Sequence, residues 1–397
     1  MSRINIKPFF NTCRVKVIEQ SVDIDNKIAK ITIEPNKRYK PACYKCKSSA
    51  VTIHAYKQRT IRDLKVFDVR TYITATYRII VCPRCGYSVE DSTLLQPYGR
   101  VTKRLAAHII DLCRVMTITD VAAYLGLDWK TIKNIHKKYL KEKFASEPPP
   151  TPKVVIVDEI AVRKGHRYLT IVADWESGRV LWVGKDRTYE TLKGFFDSLS
   201  DEHINSIEAI AIDMWDPYIK AIKTYCPQAH IVFDQFHMVS AYGKVINKVR
   251  NIEYHKASQE DKQVIKGTKY LLLKNKPNLK KKEKPRLKAL LDLNQTLTTA
   301  YIFKDLLKRL WQYKYPAYAK RAIEQLCDLA QESNIGPIKS FAKTIKRYAY
   351  GIINHCMFPI HTSRIEGINN KIKVIKRKAY GYRDMEYFSL LIKNAFV

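Results

Sequence analysis

The sequence predicts an α/β sheet domain that is interrupted by a long helical insertion and preceded by two small modules. Three observations predict it. Two Cys-x-x-Cys pairs stand near the N-terminus. A proline-rich spacer, Glu147-Pro-Pro-Pro-Thr-Pro152, cannot continue a helix and separates the first part of the chain from the rest. Beyond it, short β-branched runs alternate with helical patterns. The expected divisions are 1–98 for a β-rich module, 99–146 for a helical pair, 147–250 for the first part of the sheet domain, 251–360 for the insertion and 361–397 for a returning helix.

Charge narrows the function. There are 71 Lys and Arg against 38 Asp and Glu in 397 residues, a net charge of +33. Such a chain repels itself and calls for a polyanionic partner, with nucleic acid the leading candidate. The competing reading is a solvated surface, but the cations cluster. The apolar fraction of 46% supplies a core. No apolar run reaches the roughly 18 residues of a membrane span. The opening Met-Ser-Arg-Ile-Asn-Ile-Lys-Pro lacks a signal layout, so a cytoplasmic, nucleoid-associated protein is expected. Nine cysteines, an odd number, argue against a disulfide framework in that compartment.

The first module carries alternating runs such as Ile28-Ala-Lys-Ile-Thr-Ile33, read as strands. Cys43-Tyr-Lys-Cys46 and Cys82-Pro-Arg-Cys85 bracket a strand-rich stretch that a β-hairpin can fill. Cys43, Cys46, Cys82 and Cys85 are expected to hold one structural Zn2+ tetrahedrally. Next, Thr117 to Leu125, a turn at Gly126 and a second helix from Trp129, capped by Asp128, have the outline of a helix-turn-helix. Its second helix presents Lys130, Lys133 and Lys137, placed to meet double-stranded DNA in a major groove. The alternative is an ordinary helical hairpin with a solvated lysine face.

After the spacer, Lys153 to Val157 form a buried strand ending at Asp158. Two further strands, His166–Ala173 and Arg179–Val183, are hairpin-linked to it. A helix, a fourth strand ending at Asp213, another helix and a fifth strand ending at Asp234 complete the order of a ribonuclease-H-like sheet. In that order the first and fourth strands are parallel neighbours, so Asp158 and Asp213 come side by side. Two carboxylates held there repel unless a divalent cation joins them, and hard oxygen donors suit Mg2+ or Mn2+. The alternative is two ordinary caps after strands.

The C-terminal stretch from Ser363 to Arg377 has Ile365, Ile368, Ile372 and Ile375 on one stripe. Glu366, Asn370, Lys373 and Arg377 fall on the neighbouring one. A single acid leading a row of amide and cationic groups suits a metal ligand followed by a phosphate track, in which Arg364 and Lys371 also stand. On these grounds alone, an exposed glutamate in a first helical turn is the simpler reading.

The blocks around Asp158 (Val-Asp158-Glu-Ile-Ala-Val-Arg-Lys-Gly-His-Arg-Tyr168), Asp213 (Ala-Ile-Asp213-Met-Trp215), Asp234 (Phe-Asp234-Gln-Phe-His237) and Glu366 (Arg364-Ile-Glu366 through Gly-Tyr382) resemble transposases of bacterial insertion sequences, most closely the ISL-three type. The resemblance covers nearly the whole chain. It implies that Asp158, Asp213 and Glu366 hold magnesium on a ribonuclease-H-like fold, with Asp234 and His237 as an Asp-x-x-His signature near the site. It also implies binding to element ends and target DNA as a homo-oligomer, with no membrane partner. His237 either meets the scissile phosphate or orients Asp213, and Arg187 falls at a family position. The stretch of about 130 residues between Asp234 and Glu366 matches the family's helical insertion. Within it, Lys274–Lys288 reads as a solvated loop and Trp311 as a core residue, with base stacking as the second reading. Two other functions compete: a DNA-binding regulator without catalysis, and a nuclease of the same chemistry that does not join strands.

Overall fold

Alternating β-branched and polar residues from Val15 onward build the first sheet, because one face of each strand must find apolar cover. The computed structural model describes residues 14–148, 151–163, 167–361 and 363–397. Cys13, Pro149, Pro150 and residues 164–166 of the Asp158 block lie outside them. The chain divides into two compact units, Met1–Ser146 and Glu147–Val397.

In the first unit, β1 (Val15–Asp23), β2 (Ile28–Pro35), β3 (Thr52–Arg62), β4 (Arg70–Cys82) and β5 (Gly86–Val89) form one sheet of order β1-β2-β4-β3, with β5 on β4. Ile31, Ile33, Ile61 and Ile73 line its buried face under Leu94 and Leu95. The β3–β4 hairpin fills the long gap between the cysteine pairs. Three helices follow: α1 (Lys103–Cys113), α2 (Ile118–Leu125) and α3 (Trp129–Ser146). Buried Asp63 joins sheet to helices: it accepts from the Thr102 hydroxyl at 2.6 Å and pairs with the Arg104 guanidinium. A capping box between Thr117 and Asp120 starts α2, and Gly126, at φ 63°, ends it. The Asp128 carboxylate accepts from the N–H groups of Lys130 and Thr131 and opens α3.

The second unit holds β6 (Val154–Arg163), β7 (Arg167–Asp174), β8 (Val180–Lys185), α4 (Tyr189–Asp197), α5 (Asp201–Asn205), β9 (Ala209–Ile212), α6 (Asp216–Tyr225) and β10 (His230–Phe233). The sheet order is β10-β9-β6-β7-β8. β6 is antiparallel to β7 and parallel to β9. Side chains alternate across β6: Val155 and Val157 join the core under α4 and α6, whereas Ile156 and Ile160 pack with Ile365, Ile368 and Ile372.

Helices run on from the sheet through the insertion: α7 (Gln235–Lys256), which crosses the expected boundary at 250 unbroken, then α8 (Gln259–Ile265), α9 (Lys269–Leu273), α10 (Glu283–Leu293), α11 (Gln295–Arg309), α12 (Pro316–Glu332) and α13 (Gly336–Asn354). Its core is continuous with that of the sheet. Gly351 of α13 lies flat on Phe233 of β10, where a Cβ would come within 2.2 Å of the ring. The Trp311 indole N–H reaches the Phe233 carbonyl at 3.1 Å, so this tryptophan is a core residue, only 8% exposed. The Lys274–Lys288 stretch departs from the expected loop. α10 begins at Glu283 inside it, where Pro285 is tolerated in the first turn, and Leu287 and Leu290 are buried. Glu283 also pairs with Lys274 at 2.6 Å. The chain returns through α14 (Ser363–Lys378) and α15 (Met385–Asn394). No described helix is long and apolar enough to cross a membrane.

Candidate active site and metal centres

The sheet register places the two aspartates. Val154, Val155 and Ile156 of β6 pair with Ala209, Ile210 and Ala211 of β9. Carried forward two residues, the same register sets Asp158 opposite Asp213. β6 does not stop at Asp158, as the sequence suggested, but continues to Arg163 against β7. What ends there is its parallel partner, which leaves Asp158 at the open edge of the pairing. β10 runs in step with β9, Phe233 beside Ile212, so α7 starts level with the aspartates. His237 in its first turn reaches back to them: Nε2 lies 2.8 Å from Asp213 Oδ1. Of the two roles open to His237, the structure shows the contact with Asp213. Ligand atoms of Asp158, Asp213 and His237 all lie within 4.8 Å of one another.

Glu366 is not in that group. It is exposed on the first turn of α14. One turn further on, Asn369 reaches the site instead: its Nδ2 donates to Asp158 Oδ2 at 2.6 Å. The other Asp158 oxygen accepts the Glu159 N–H at 2.7 Å. Glu366 stands three residues before Asn369, one turn earlier on the same helix.

Burial and the negative charge of Asp213 push Asp158 up to about 6. Glu159, on the opposite face of β6, rises to about 7 through burial and through Asp213 and Asp158, with Arg187 opposing. Arg187 itself is held between the rings of Tyr168 and Trp215, 4.6 Å from each centroid. The Trp215 indole N–H also donates to the Arg187 carbonyl. Burial pulls His237 down, but its bond to Asp213 outweighs that and raises it.

Three crowded carboxyl groups without a counter-charge are costly, and a divalent cation is the neutraliser their hard oxygens fit. The signs give a prediction. A carboxyl raised in the folded state stabilises at low pH and loses that contribution as pH climbs through its folded value. A raised histidine likewise contributes below its unfolded value and loses this above its folded one. Asp213→Asn removes the charge behind both effects. Without added divalent cation, its melting temperature should exceed that of the wild type at pH 8 and fall below it at pH 5. The same ranking at both pH values in a thermal scan would refute the charge-crowding account.

The four cysteines converge as expected. Cys43, Cys46, Cys82 and Cys85 bring their sulfurs within 4.8 Å of one another. Burial opposes ionisation of Cys43, but the N–H groups of Cys46 and Lys45 win and lower it to about 6. The neighbouring sulfurs push Cys85 the other way, to about 12. Four thiolates can share so small a space only around a cation, and this donor set suits zinc.

The cations picked out for DNA divide into two sorts. On α3, Lys130 and Lys133 both lie 5.9 Å over the half-exposed Trp129 ring. Lys373 and Arg377 are exposed on α14. Arg364, by contrast, donates to the carbonyls of Trp175 and Glu176 and ties α14 to the β7–β8 turn. Lys371 donates to the Ala395 carbonyl and lies over the Phe396 ring. Beyond His237, a cleft of about 990 Å³ opens between α7 and α11, with Phe236, Lys244, Lys269 and Lys308 among its lining.

Sequence reasoning missed Glu159 and Asn369. The signal for Asn369 was present: positions 365, 368, 369 and 372 form one buried helical seam, and a polar residue within it needs a partner.

Comparison with known proteins follows the same division of the chain. The zinc-finger model of the transposases of IS204, IS1001, IS1096 and IS1165 matches residues 40–85. The model of the helix-turn-helix domain of transposase family ISL3 matches residues 90–140. The ISL3 DDE transposase model matches residues 155–392. The chain is 39% identical over 358 residues to the transposase for insertion sequence element IS1001 of Bordetella parapertussis, covering 89% of this chain and 88% of that one. It is 24% identical to the transposase for insertion sequence element IS1557 of Mycobacterium tuberculosis, over 82% and 78% of the two chains. The cysteine cluster and the helix-turn-helix thus precede the paired aspartates in the order those models describe, and the chain belongs to the ISL3 family of DDE transposases.

Proposed function

We propose that this transposase binds the terminal inverted repeats of its insertion sequence and cuts and rejoins DNA there, with Asp158, Asp213 and Glu366 as the acids of a ribonuclease-H-like core. The observation that carries the reading is the meeting of Asp158 within β6, Asp213 just after β9 and His237 in the first turn of α7. When bound, Mg2+ or Mn2+ supplies Lewis-acid activation of the attacking oxygen and neutralises charge at the scissile phosphate. The chain's own residues prepare that site. The His237 ring fixes the rotamer of Asp213 and neutralises part of its charge. Asn369 and the Glu159 N–H fix both oxygens of Asp158. Glu366 completes the acids from α14. Water attacks the phosphodiester at the element end and breaks its bond to the 3′-oxygen, leaving a 3′-hydroxyl and a 5′-phosphate; that hydroxyl then attacks a target phosphodiester at the same acids and displaces the target strand's 3′-hydroxyl. No Ser or Tyr nucleophile is required.

The remaining assignments extend this reading. The zinc module (1–98) and the helix-turn-helix (99–146) recognise duplex ends, with Lys130, Lys133 and Lys137 of α3 toward the groove. The catalytic core comprises 147–250 and 361–397, and 251–360 is its insertion. Lys373 and Arg377 follow the phosphate backbone away from Glu366, and the cleft beside His237 offers the cut strand further cations. Arg364 and Lys371 contribute chiefly by holding α14 in place. Two element ends must meet, so a homo-oligomer on DNA in the nucleoid is part of the proposal. A regulator without catalysis is disfavoured, because all three acids are present and the transposase model spans the unit that carries them. Incubation with matched element-end DNA and Mg2+ should yield both nicks and joined products. Nicks without joining would favour the nuclease reading.

A further inference from the structure

Asn369 stands in an unusual place. Its neighbours on the inner flank of α14 are Ile365, Ile368 and Ile372, all buried against the sheet, and Asn369 itself is only 7% exposed. An amide in such a seam is costly unless its polar atoms are bonded. Half of it is: Nδ2 donates to Asp158 Oδ2 at 2.6 Å. The other half is not: Oδ1 is buried with no hydrogen-bond partner. A buried acceptor left open next to the bond with Asp158 calls for a water or an ion to complete it. The carboxylates cannot serve, since they accept and do not donate.

The direction of the amide matters. With Nδ2 committed to Asp158, Oδ1 is the atom that remains, and it is a hard, neutral oxygen of the kind that joins carboxylates around Mg2+ or Mn2+. Glu366 lies one helical turn away on the same flank. The helix that carries the third acid therefore carries a second oxygen donor.

We infer that Asn369 is part of the divalent-metal site: its Nδ2–H sets Asp158, and its Oδ1 faces the bound cation, either as a direct ligand or through a water the cation holds. The inference rests on the reading of Asp158 and Asp213 as metal ligands. The carboxylates draw the ion in, and Asn369 couples its arrival to the docking of α14, so metal affinity and helix position become linked quantities.

The test is Mn2+ binding to the full chain, followed by electron paramagnetic resonance, together with melting temperatures with and without Mn2+. Asn369→Ala should weaken Mn2+ binding about 10- to 100-fold, the usual cost of losing such a supporting group. Asn369→Asp keeps the shape and reverses the balance. Without metal it sets a third charge against Asp158 and should melt lower than the wild type. With Mn2+ it should recover, and its metal-induced rise in melting temperature should exceed that of the wild type. An amide with a purely structural role would leave Mn2+ affinity unchanged in Asn369→Ala and make Asn369→Asp equally unstable with and without metal. Either result overturns the inference. Asp213→Asn separates the two levels. If it loses Mn2+ while Asn369→Ala binds as tightly as the wild type, only the role of Asn369 falls. If Asp213→Asn also binds normally, the acidic site falls and Asn369 with it.

Discussion

Asp158→Asn, Asp213→Asn and Glu366→Gln are each expected to lower cleavage of matched element-end DNA by about a thousandfold or more, while duplex binding changes little. The magnitude follows from the geometry. Removing one preorganised group that stabilises transition-state charge costs on the order of 10²–10³ in rate, and losing a ligand that also retains the metal adds to that. A thousandfold loss corresponds to about 4 kcal/mol of transition-state stabilisation. Binding should survive because the substituted side chains sit in Glu147–Val397, whereas the helix-turn-helix match lies within the other compact unit. The informative member is Glu366→Gln. The two aspartates meet His237 in the structure, but Glu366 is exposed on α14. Gel-based cleavage and filter binding on the same preparations decide the matter. Normal cleavage by any one variant removes that residue from the acidic set.

The second large effect is expected at the other metal centre. Cys43→Ser or Cys82→Ser should abolish zinc stoichiometry and unfold the N-terminal sheet, because Cys43 and Cys82 are fully buried and form, with Ile80, the whole of a small core. Structural zinc of this type contributes about 10–16 kcal/mol of apparent binding free energy, more than a small module holds in reserve. The catalytic unit has its own continuous core and should melt as before. Calorimetry should therefore show one transition lost and one kept, with weakened duplex binding. Zinc analysis of the purified variant checks the cause, and unchanged stoichiometry would rule it out.

Most of the architecture was legible because it rests on short-range pattern. Strand alternation, the Asp128 cap and the spacing within each cysteine pair are local statements, and the structure bears each out. The parallel neighbours β6 and β9 were legible at one remove, through the topology that the element order implies. What the sequence hid are contacts over long separations. Asn369 lies 211 residues from Asp158, and nothing in its neighbourhood distinguishes it from Asn370 except which side of the helix faces the sheet. The isoleucine stripe is wide enough to accept either position. The Lys274–Lys288 stretch was misread for a related reason. Its charge suggested a solvated loop, yet two leucines one turn apart bury themselves against the insertion and carry the lysines into a helix. Arg364 and Lys371 show that a cation beside a functional acid can be committed to a carbonyl, a distinction composition does not make.

The contact of Gly351 with Phe233 has a consequence for the timing of synthesis. β10 ends in the residues that launch α7 and set His237, yet its face is covered by α13, and the Asn354 amide holds the Ile231 carbonyl at 2.9 Å. Asn369 and Glu366 lie later still in the chain. On the proposed assignments, a polypeptide emerging from the ribosome exposes its helix-turn-helix unit first and can bring Glu366 and Asn369 to the aspartates only when nearly all of it has been made. If that unit recognises the element ends as proposed, prematurely terminated products would bind DNA without breaking it and compete with the finished enzyme.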